Sequence, residues 1–529
     1  MEKNQINELL QNIWKTAGEL RGKMTPGDFI DYLTGLLVYK FLSDQTERAI
    51  GHALIENGEA TECDLLTLQQ CHAAYMNHGA DDALCMAELG YIVSLNDTFQ
   101  SILHRVYDGM DFLAELQNAF FNIENSNPDL TGLFDDVDLQ SARLGSSVKS
   151  REELIGFMLK GLEMTDTSLM NGDYLGQVFE ALIRARSQDA GRATGEIYTP
   201  KEISDIMARI TTHGHEKENN FSIYDPVMGS GSLLLRTGSY IESADSVHYY
   251  GQEINTSTWN KARMNFILHE VISKHINLSN GNTLDQDWPK DDKKVSAVVM
   301  NPPYSMHWSA DPRYLTDARF ADYGVLPPKS KADFAFLLHG LHHLSEDGTM
   351  AILLPHGVLF RGAAEEKIRK QLLDNGLIDA VIGLPAGLLS STAIPTAIIV
   401  LKKNRTSKDV LFIDASNEYT SDKRNKILEP KHIDRICQAY FDRKNVDQFC
   451  HVASYEEIQA NDYNLNIPRY VDTFVPEDGP SIEELTKTMK DASTQLAENQ
   501  AKLQETLKSL IDIDSEAAED VKAVQDALK

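Results

Sequence analysis

Between residues 165 and 420, short apolar runs of strand length alternate with helix-sized amphipathic stretches, and this alternation constrains the chain more than any other feature. The runs lie at 221–224, 247–251, 295–300, 349–354, 378–383, 396–401 and 410–413 and are rich in Val, Ile, Leu and Tyr. Parallel strands need a crossover to bring the chain back to the same edge, usually a helix, so the pattern predicts a doubly wound, largely parallel α/β sheet. The last runs follow one another closely, which predicts an antiparallel hairpin at one edge of that sheet.

The flanks read differently. At 529 residues the chain exceeds what one core usually organises. Residues 1–165 carry apolar positions at helical spacing (Phe29, Tyr32, Leu33, Leu36, Leu37) and predict a helical N-terminal domain. The segment Gly18 to Met24 is one residue short of a phosphate-binding loop and has Met24 where Ser or Thr would bind magnesium, so it reads as a turn. A catalytic domain is expected over 166–474. The stretch 475–480, Val-Pro-Glu-Asp-Gly-Pro, reads as a linker. After it Ile482, Leu485, Met489, Leu496, Leu503, Leu507 and Leu510 form a narrow apolar stripe, so 475–529 is expected to be a linker plus a long helix. That helix either packs on its own domain or docks a partner. No apolar run reaches membrane-spanning length, and the five cysteines form no CxxC pair, so no membrane, no metal and a reducing cytoplasm are expected.

Two loops carry chemistry. Tyr224-Asp225-Pro226-Val227-Met228-Gly229-Ser230-Gly231-Ser232 follows the first strand and precedes an apolar helix start. Small residues there let backbone approach a ligand closely, and the next strand ends in Glu253, whose carboxylate can accept two hydrogen bonds from ribose hydroxyls. Upstream, Glu196-Ile197-Tyr198-Thr199-Pro200-Lys201 predicts a helix start with Thr199 as N-cap and Pro200 in the first position. The second loop, Asn301-Pro302-Pro303-Tyr304, ends the buried strand 295–300 in a rigid turn. The Asn301 side-chain oxygen and the Pro302 carbonyl can accept both hydrogens of an exocyclic amine, whose lone pair is otherwise delocalised into its ring. Holding them there favours a tetrahedral nitrogen able to attack a methyl donor, by positioning and electrostatics alone. Tyr304 offers a flat face to a base taken out of the stack.

In this order, GEIYTP, DPVMGSGSLLL, GQEIN and NPPY, the chain resembles the amino-methyltransferases that modify adenine in DNA. The stretches beginning at Asn171, Ala332, Gly348, Leu384 and Tyr463 are similar to the methylation (M) subunit of type I restriction–modification systems. The resemblance implies a Rossmann-like, S-adenosylmethionine-dependent methyltransferase sheet. It implies that Glu196 to Lys201, Asp225, Gly229 to Ser232 and Glu253 contact S-adenosylmethionine. Asn301, Pro302, Pro303 and Tyr304 would then hold a flipped adenine of double-stranded DNA. Such enzymes often carry an Asp after the third strand that meets the cofactor's adenine; here Asn282 and Asp285 are both open for that role. Where many relatives place Phe, this chain has Leu389.

Charge shapes the last expectation. Fifty Lys plus Arg against seventy-nine Asp plus Glu give a formal charge of −29, which a protein gripping phosphates alone does not show. Nor does any DNA-reading domain or GxxxxGK[ST] loop stand out. The expected partners are therefore a specificity (S) subunit and a second M copy, and the sequence leaves open whether a restriction (R) subunit joins. Two other readings remain: an NPPY methyltransferase acting on protein glutamine, and a catalytically silent assembly scaffold.

Overall fold

The computed structural model describes residues 10–11, 13–15, 18–19, 22–62, 67–78, 82–163, 167, 172–190, 199–271, 273–389, 394–422, 425–473, 481–513 and 518–527. Its centre is a nine-stranded sheet built from β1 (Ser222–Asp225), β2 (His248–Glu253), β3 (Ile276–Asn280), β4 (Val295–Met300), β5 (Leu344–Pro355), β6 (Ile378–Gly383), β7 (Thr396–Lys402), β8 (Val410–Asp414) and β11 (Cys450–Ala453). A separate two-stranded ribbon pairs β9 (Thr420–Asp422) with β10 (Asn425–Ile427). The order across the sheet is β11-β8-β6-β7-β5-β4-β1-β2-β3. The Rossmann-like α/β class, the helical N-terminal region and the long C-terminal helix are as the sequence predicts.

All seven expected strands form, β4 and β6 with the expected bounds. The sheet's two further strands were not expected and carry a weak signal. β3, Ile-Asn-Leu-Ser-Asn, is an edge strand mostly half-buried, and β11 is a four-residue edge strand, so neither shows the apolar run by which strands are read. The antiparallel strand is also not where it was expected. β7 runs antiparallel to both β5 and β6 and is inserted between them, inside the sheet. The described residues of the connection from β6 to β7 contain no helix to carry the chain back; β7 reverses direction, and β8 and β11 continue the sheet beyond β6.

Alternation along the strands divides the core in two. Val298, Met300, Met350, Ile352 and Ile399 feed the cluster on one face, and Ala297, Val299, Ala351, Leu353 and Ile398 the cluster on the other. Each fully buried Val, Leu, Ile or Met side chain among them contributes about 1.5–3 kcal/mol relative to exposure.

The third core is helical. Its long helix Pro26–Glu56 starts as its sequence dictates, with the Thr25 hydroxyl accepting from the Asp28 amide at 3.1 Å and Pro26 in the first turn. Leu33, Leu36 and Leu37 pack in a cluster that continues through Leu175, Phe179 and Leu182 to Met264 and Leu268 of the helix Thr256–Leu268, which flanks the sheet. Residues 1–472 accordingly make one compact unit, and the N-terminal helices share a core with the sheet's own layer. The second unit, 473–529, contains the helices Ile482–Ile513 and Ala518–Ala527. Leu507 is buried there, whereas Ile482 is 84 % and Met489 70 % exposed.

One close approach fastens the helix Gly172–Ala190 to the sheet layer. A Cβ at Gly176 would lie 1.9 Å from the His269 ring. Gly176→Ala is expected to cost about 1–3 kcal/mol by overpacking, read from urea unfolding, and His269→Ala in the same chain should recover most of that loss.

Candidate active site

β1 pairs in parallel with β2 on one side and β4 on the other, so strand order reverses there. Crevices outside the carboxyl ends of strands at such a reversal are where open α/β sheets bind ligands. β1 delivers Asp225 and β4 delivers Asn301 to this crevice, and a cleft lined by Thr199, Asp225, Gly229, Ser230, Ser232 and Asn301 lies there. Motifs about a hundred residues apart in sequence thus line one cavity.

The glycine loop is fixed by turns and by long-range anchors. Gly229 and Gly231 have φ of 56° and 77°, which side chains with a Cβ rarely adopt. At Gly231 a Cβ would also lie 2.9 Å from the Phe266 ring. The Met228 amide donates to the Gln252 carbonyl at 3.0 Å, tying the loop to β2. Asn265 is buried, and its Nδ2 donates to the Ser230 carbonyl at 2.9 Å. The Thr283 hydroxyl donates to the Pro226 carbonyl. Neither Asn265 nor Thr283 was singled out from the sequence, because nothing local distinguishes an asparagine in an amphipathic helix or a threonine after a strand.

Two carboxylates sit at this loop. Glu253 accepts from the Gly229 amide at 3.2 Å and from the Asn255 amide at 2.8 Å. Asp225 is 2 % exposed and accepts from the Val227 amide at 2.9 Å. Burial, and after it the Glu253 charge, hold the Asp225 carboxyl well above the usual carboxylate range, against the lowering effect of the Val227 bond.

Asn301 is 7 % exposed and gripped on both sides. Its Nδ2 donates to Thr199 Oγ1 at 3.0 Å, and its Oδ1 accepts from the Tyr304 hydroxyl at 2.8 Å. These partners orient the amide, with its oxygen toward Tyr304. The Thr199 bond corrects the expected helix start. The helix is Lys201–Thr212, its N-cap is Pro200, and no side chain caps it, because the Thr199 hydroxyl is engaged by Asn301 instead. Tyr304 is half-buried against the same apolar cluster that contains Leu389.

The remaining expected residues are placed as follows. Glu196, Ile197 and Tyr198 lie outside the described residues. Lys201 is exposed at the helix start and Pro302 is buried beside Asn301. Asn282 and Asp285 do not line the cleft. They bond each other, Nδ2 to Oδ2 at 2.7 Å, while Asp285 Oδ1 accepts from the Tyr314 hydroxyl at 2.9 Å. Among the described residues, Asp287, His339 and His343 bring one ligand atom each within 4.8 Å of one another. Their nitrogens are already engaged: His339 with Tyr224 and Arg319, His343 with Asp287 and the Lys293 carbonyl. The Arg319 guanidinium supplies the positive charge there, and the group reads as a hydrogen-bond network beneath β1.

Comparisons with known proteins identify the family. The profile of the N-6 DNA Methylase family matches residues 170–478, and that of the HsdM N-terminal domain matches 9–161. The chain is similar to the type I restriction enzyme MpnII methylase subunit of Mycoplasma pneumoniae, 34 % identical over 93 % of this chain and 96 % of the relative. It is also similar to the MjaVIII methylase subunit of Methanocaldococcus jannaschii, 32 % identical over 63 % of this chain and 60 % of that one. A solved type I restriction–modification methyltransferase subunit from Streptococcus thermophilus is 45 % identical, covers 89 % of this chain and all of its own, and superposes with a TM-score of 0.84.

The raised Asp225 carboxyl has a measurable sign. Between its unfolded value of about 3.9 and the higher folded one, folding takes up a proton, so this group's contribution to stability falls as pH rises across that window. Asp225→Asn keeps an acceptor for the Val227 amide and titrates nowhere. The variant should therefore gain on the wild type progressively as pH is raised above about 4, as read from urea midpoints across a pH series.

Proposed function

Because the chain belongs to the N-6 DNA methylase family, among the methylase subunits of type I restriction–modification systems, we propose that it methylates the 6-amino group of adenine in DNA with S-adenosylmethionine, at a site chosen by a separate specificity subunit. The observation that carries this reading is the single cleft shared by Asp225, the glycine loop, Thr199 and Asn301. Asp225, Gly229, Ser230, Gly231, Ser232 and Glu253 would hold the cofactor, with Glu196 to Lys201 and Asn282 as the further expected contacts. The site suits a cationic ligand. Two carboxylates flank the loop, and the raised Asp225 carboxyl is eased toward ionisation by a positive charge beside it. When bound, the cofactor supplies an electrophilic methyl group on a sulfonium.

The chain's own part is positioning. Asn301 Oδ1 and the Pro302 carbonyl accept the two N–H bonds of the adenine amine, Pro303 keeps the turn stiff, and Tyr304 lends its ring face to the base. Held this way, the amine lone pair would point at the methyl group that the bound cofactor would supply, and the proton the amine sheds on methylation would leave to solvent. Thr199 holds the Asn301 amide so that its oxygen, rather than its nitrogen, meets the amine. Strong base catalysis is unnecessary when the lone pair is already directed at the methyl group.

The acidic chain is consistent with a subunit that receives DNA from a more basic partner. We assign residues 1–165 to a helical N-terminal domain, 166–474 to catalysis and 475–529 to partner docking. The exposed apolar positions Ile482, Met489 and Leu496 of the last segment support docking to the specificity subunit. Two copies of this chain per specificity subunit would serve the two strands of a DNA site, with or without a restriction subunit. No helix among the described residues is long and apolar enough to cross a membrane, and we place the complex in the cytoplasm.

Co-expression with its specificity partner should yield methylated adenine in host DNA, mapped by single-molecule sequencing, whereas methylation by this chain alone would overturn the division of labour. Asn301→Ala should bind S-adenosylmethionine normally by calorimetry and lose at least about 10²–10³-fold in turnover, and retained turnover would favour another catalytic group. Tyr304→Phe keeps the stacking face but loses the hydroxyl that orients Asn301, so it should lower turnover with DNA binding near wild type, while Tyr304→Ala should also weaken DNA binding by about 1–3 kcal/mol.

A further inference from the structure

We infer that Asp333, braced by Arg361, is a positioning residue that sets the exit of the Asn301–Tyr304 turn and thereby the alignment of the target amine. Resting on the methyltransferase reading above, the inference adds a part of that site outside both the glycine loop and the Asn301–Tyr304 turn.

Ser305, the residue after Tyr304, has φ of 52°, a left-handed conformation that a residue with a Cβ holds only when its surroundings insist. What insists is Asp333. Its Oδ1 accepts the Ser305 amide at 2.8 Å, and its side chain is fully buried at the first turn of the helix Asp333–His343. The other oxygen, Oδ2, accepts from Arg361 Nη1 at 2.8 Å, and the same nitrogen donates to Glu365 Oε1 at 3.0 Å. Arg361 is itself held from behind, its carbonyl accepting from Arg369 Nη1 at 2.9 Å. The Ala332 amide donates to the Met306 carbonyl at 2.9 Å, so two neighbouring bonds fasten 305–306 to the start of this helix.

A buried ion pair between a helix and a loop is ordinarily a structural fastening, and that reading has to be weighed. Two features separate Asp333 from it. A carboxylate in a helix's first turn commonly serves that helix's own amides, yet here no side chain caps the helix at Ala332 and the Asp333 oxygen goes to Ser305 instead. The bond also falls on the residue joined to Tyr304, whose hydroxyl donates to Asn301, so a shift of Ser305 passes to the catalytic amide through one peptide unit and one hydrogen bond. Near the Tyr304 phenol, the Asp333 charge adds to burial in keeping that hydroxyl protonated and able to donate.

The test uses the assembled complex of this chain with its specificity subunit, on a duplex bearing the site mapped for the wild type. Asp333→Asn should lower turnover by on the order of 10²-fold while leaving KM for DNA, S-adenosylmethionine affinity and the unfolding midpoint of the complex near wild type, because a small misplacement of a reacting group costs rate rather than binding. Arg361→Lys keeps a cation beside Asp333 and should retain more turnover than Asp333→Asn. Glu365→Gln touches Arg361 but not Ser305 and should turn over like the wild type. On a duplex with 2-aminopurine at the target position, the fluorescence rise of base extrusion should persist in Asp333→Asn. Wild-type turnover in Asp333→Asn would overturn the inference, as would an equal loss in Glu365→Gln or a parallel loss of cofactor binding. If Asp333→Asn does not fold, Arg361→Lys decides: unchanged turnover counts against the brace, and reduced turnover at unchanged KM supports it. A wild-type complex that methylates no adenine would instead remove the reading beneath it.

Discussion

The pairing of β1 with β4 is the constraint on which the site depends. Ile223 lies opposite Ala297 and Tyr224 opposite Val298, in parallel register, at the point where the sheet's order reverses. That register brings the end of β1, which carries Asp225, beside the end of β4, which carries Asn301. A slip of one residue would turn Val298 and Met300 from one core face to the other, so the two apolar clusters that sandwich the sheet also enforce the register at its ends. Packing and catalysis are therefore not independent demands on these strands.

How much of this was legible in the sequence depends on how local each signal is. β4 and β6 are uninterrupted apolar runs, and their bounds follow directly from the residues. β3 and β11 sit at the two edges of the sheet, where half-buried and polar residues blur the signal. The place of β7 inside the sheet cannot be read from spacing, because a short connection specifies antiparallel direction but not which neighbour is displaced. The two chemical loops were legible because their composition is unusual: paired small residues in one, paired prolines in the other. Their supports were not. Thr199 looked like a helix cap and is in fact a partner of Asn301 from 102 positions away. Asn265, Thr283 and Asp333 act through contacts that no local window contains.

The charge pattern gains meaning from the fold. A formal charge of −29 opposes the approach of a polyanion, yet the carboxylates at the cleft, Asp225 and Glu253, stand where a cation would be welcomed. The overall charge bears on DNA delivery and the local charge on cofactor seating, and the two need not compete when another chain brings the DNA.

Asn301 Oδ1 already accepts one hydroxyl, and this has a kinetic consequence. On the reading given above, a primary amine arrives with two N–H bonds, one of which must share or take the oxygen that Tyr304 now occupies. After transfer only one N–H remains, and the tyrosine hydroxyl can return to the oxygen without opposition. The contest for a single acceptor would then run in the substrate's favour before the reaction and against the product after it, so the same side chain that admits the base would also hasten its departure.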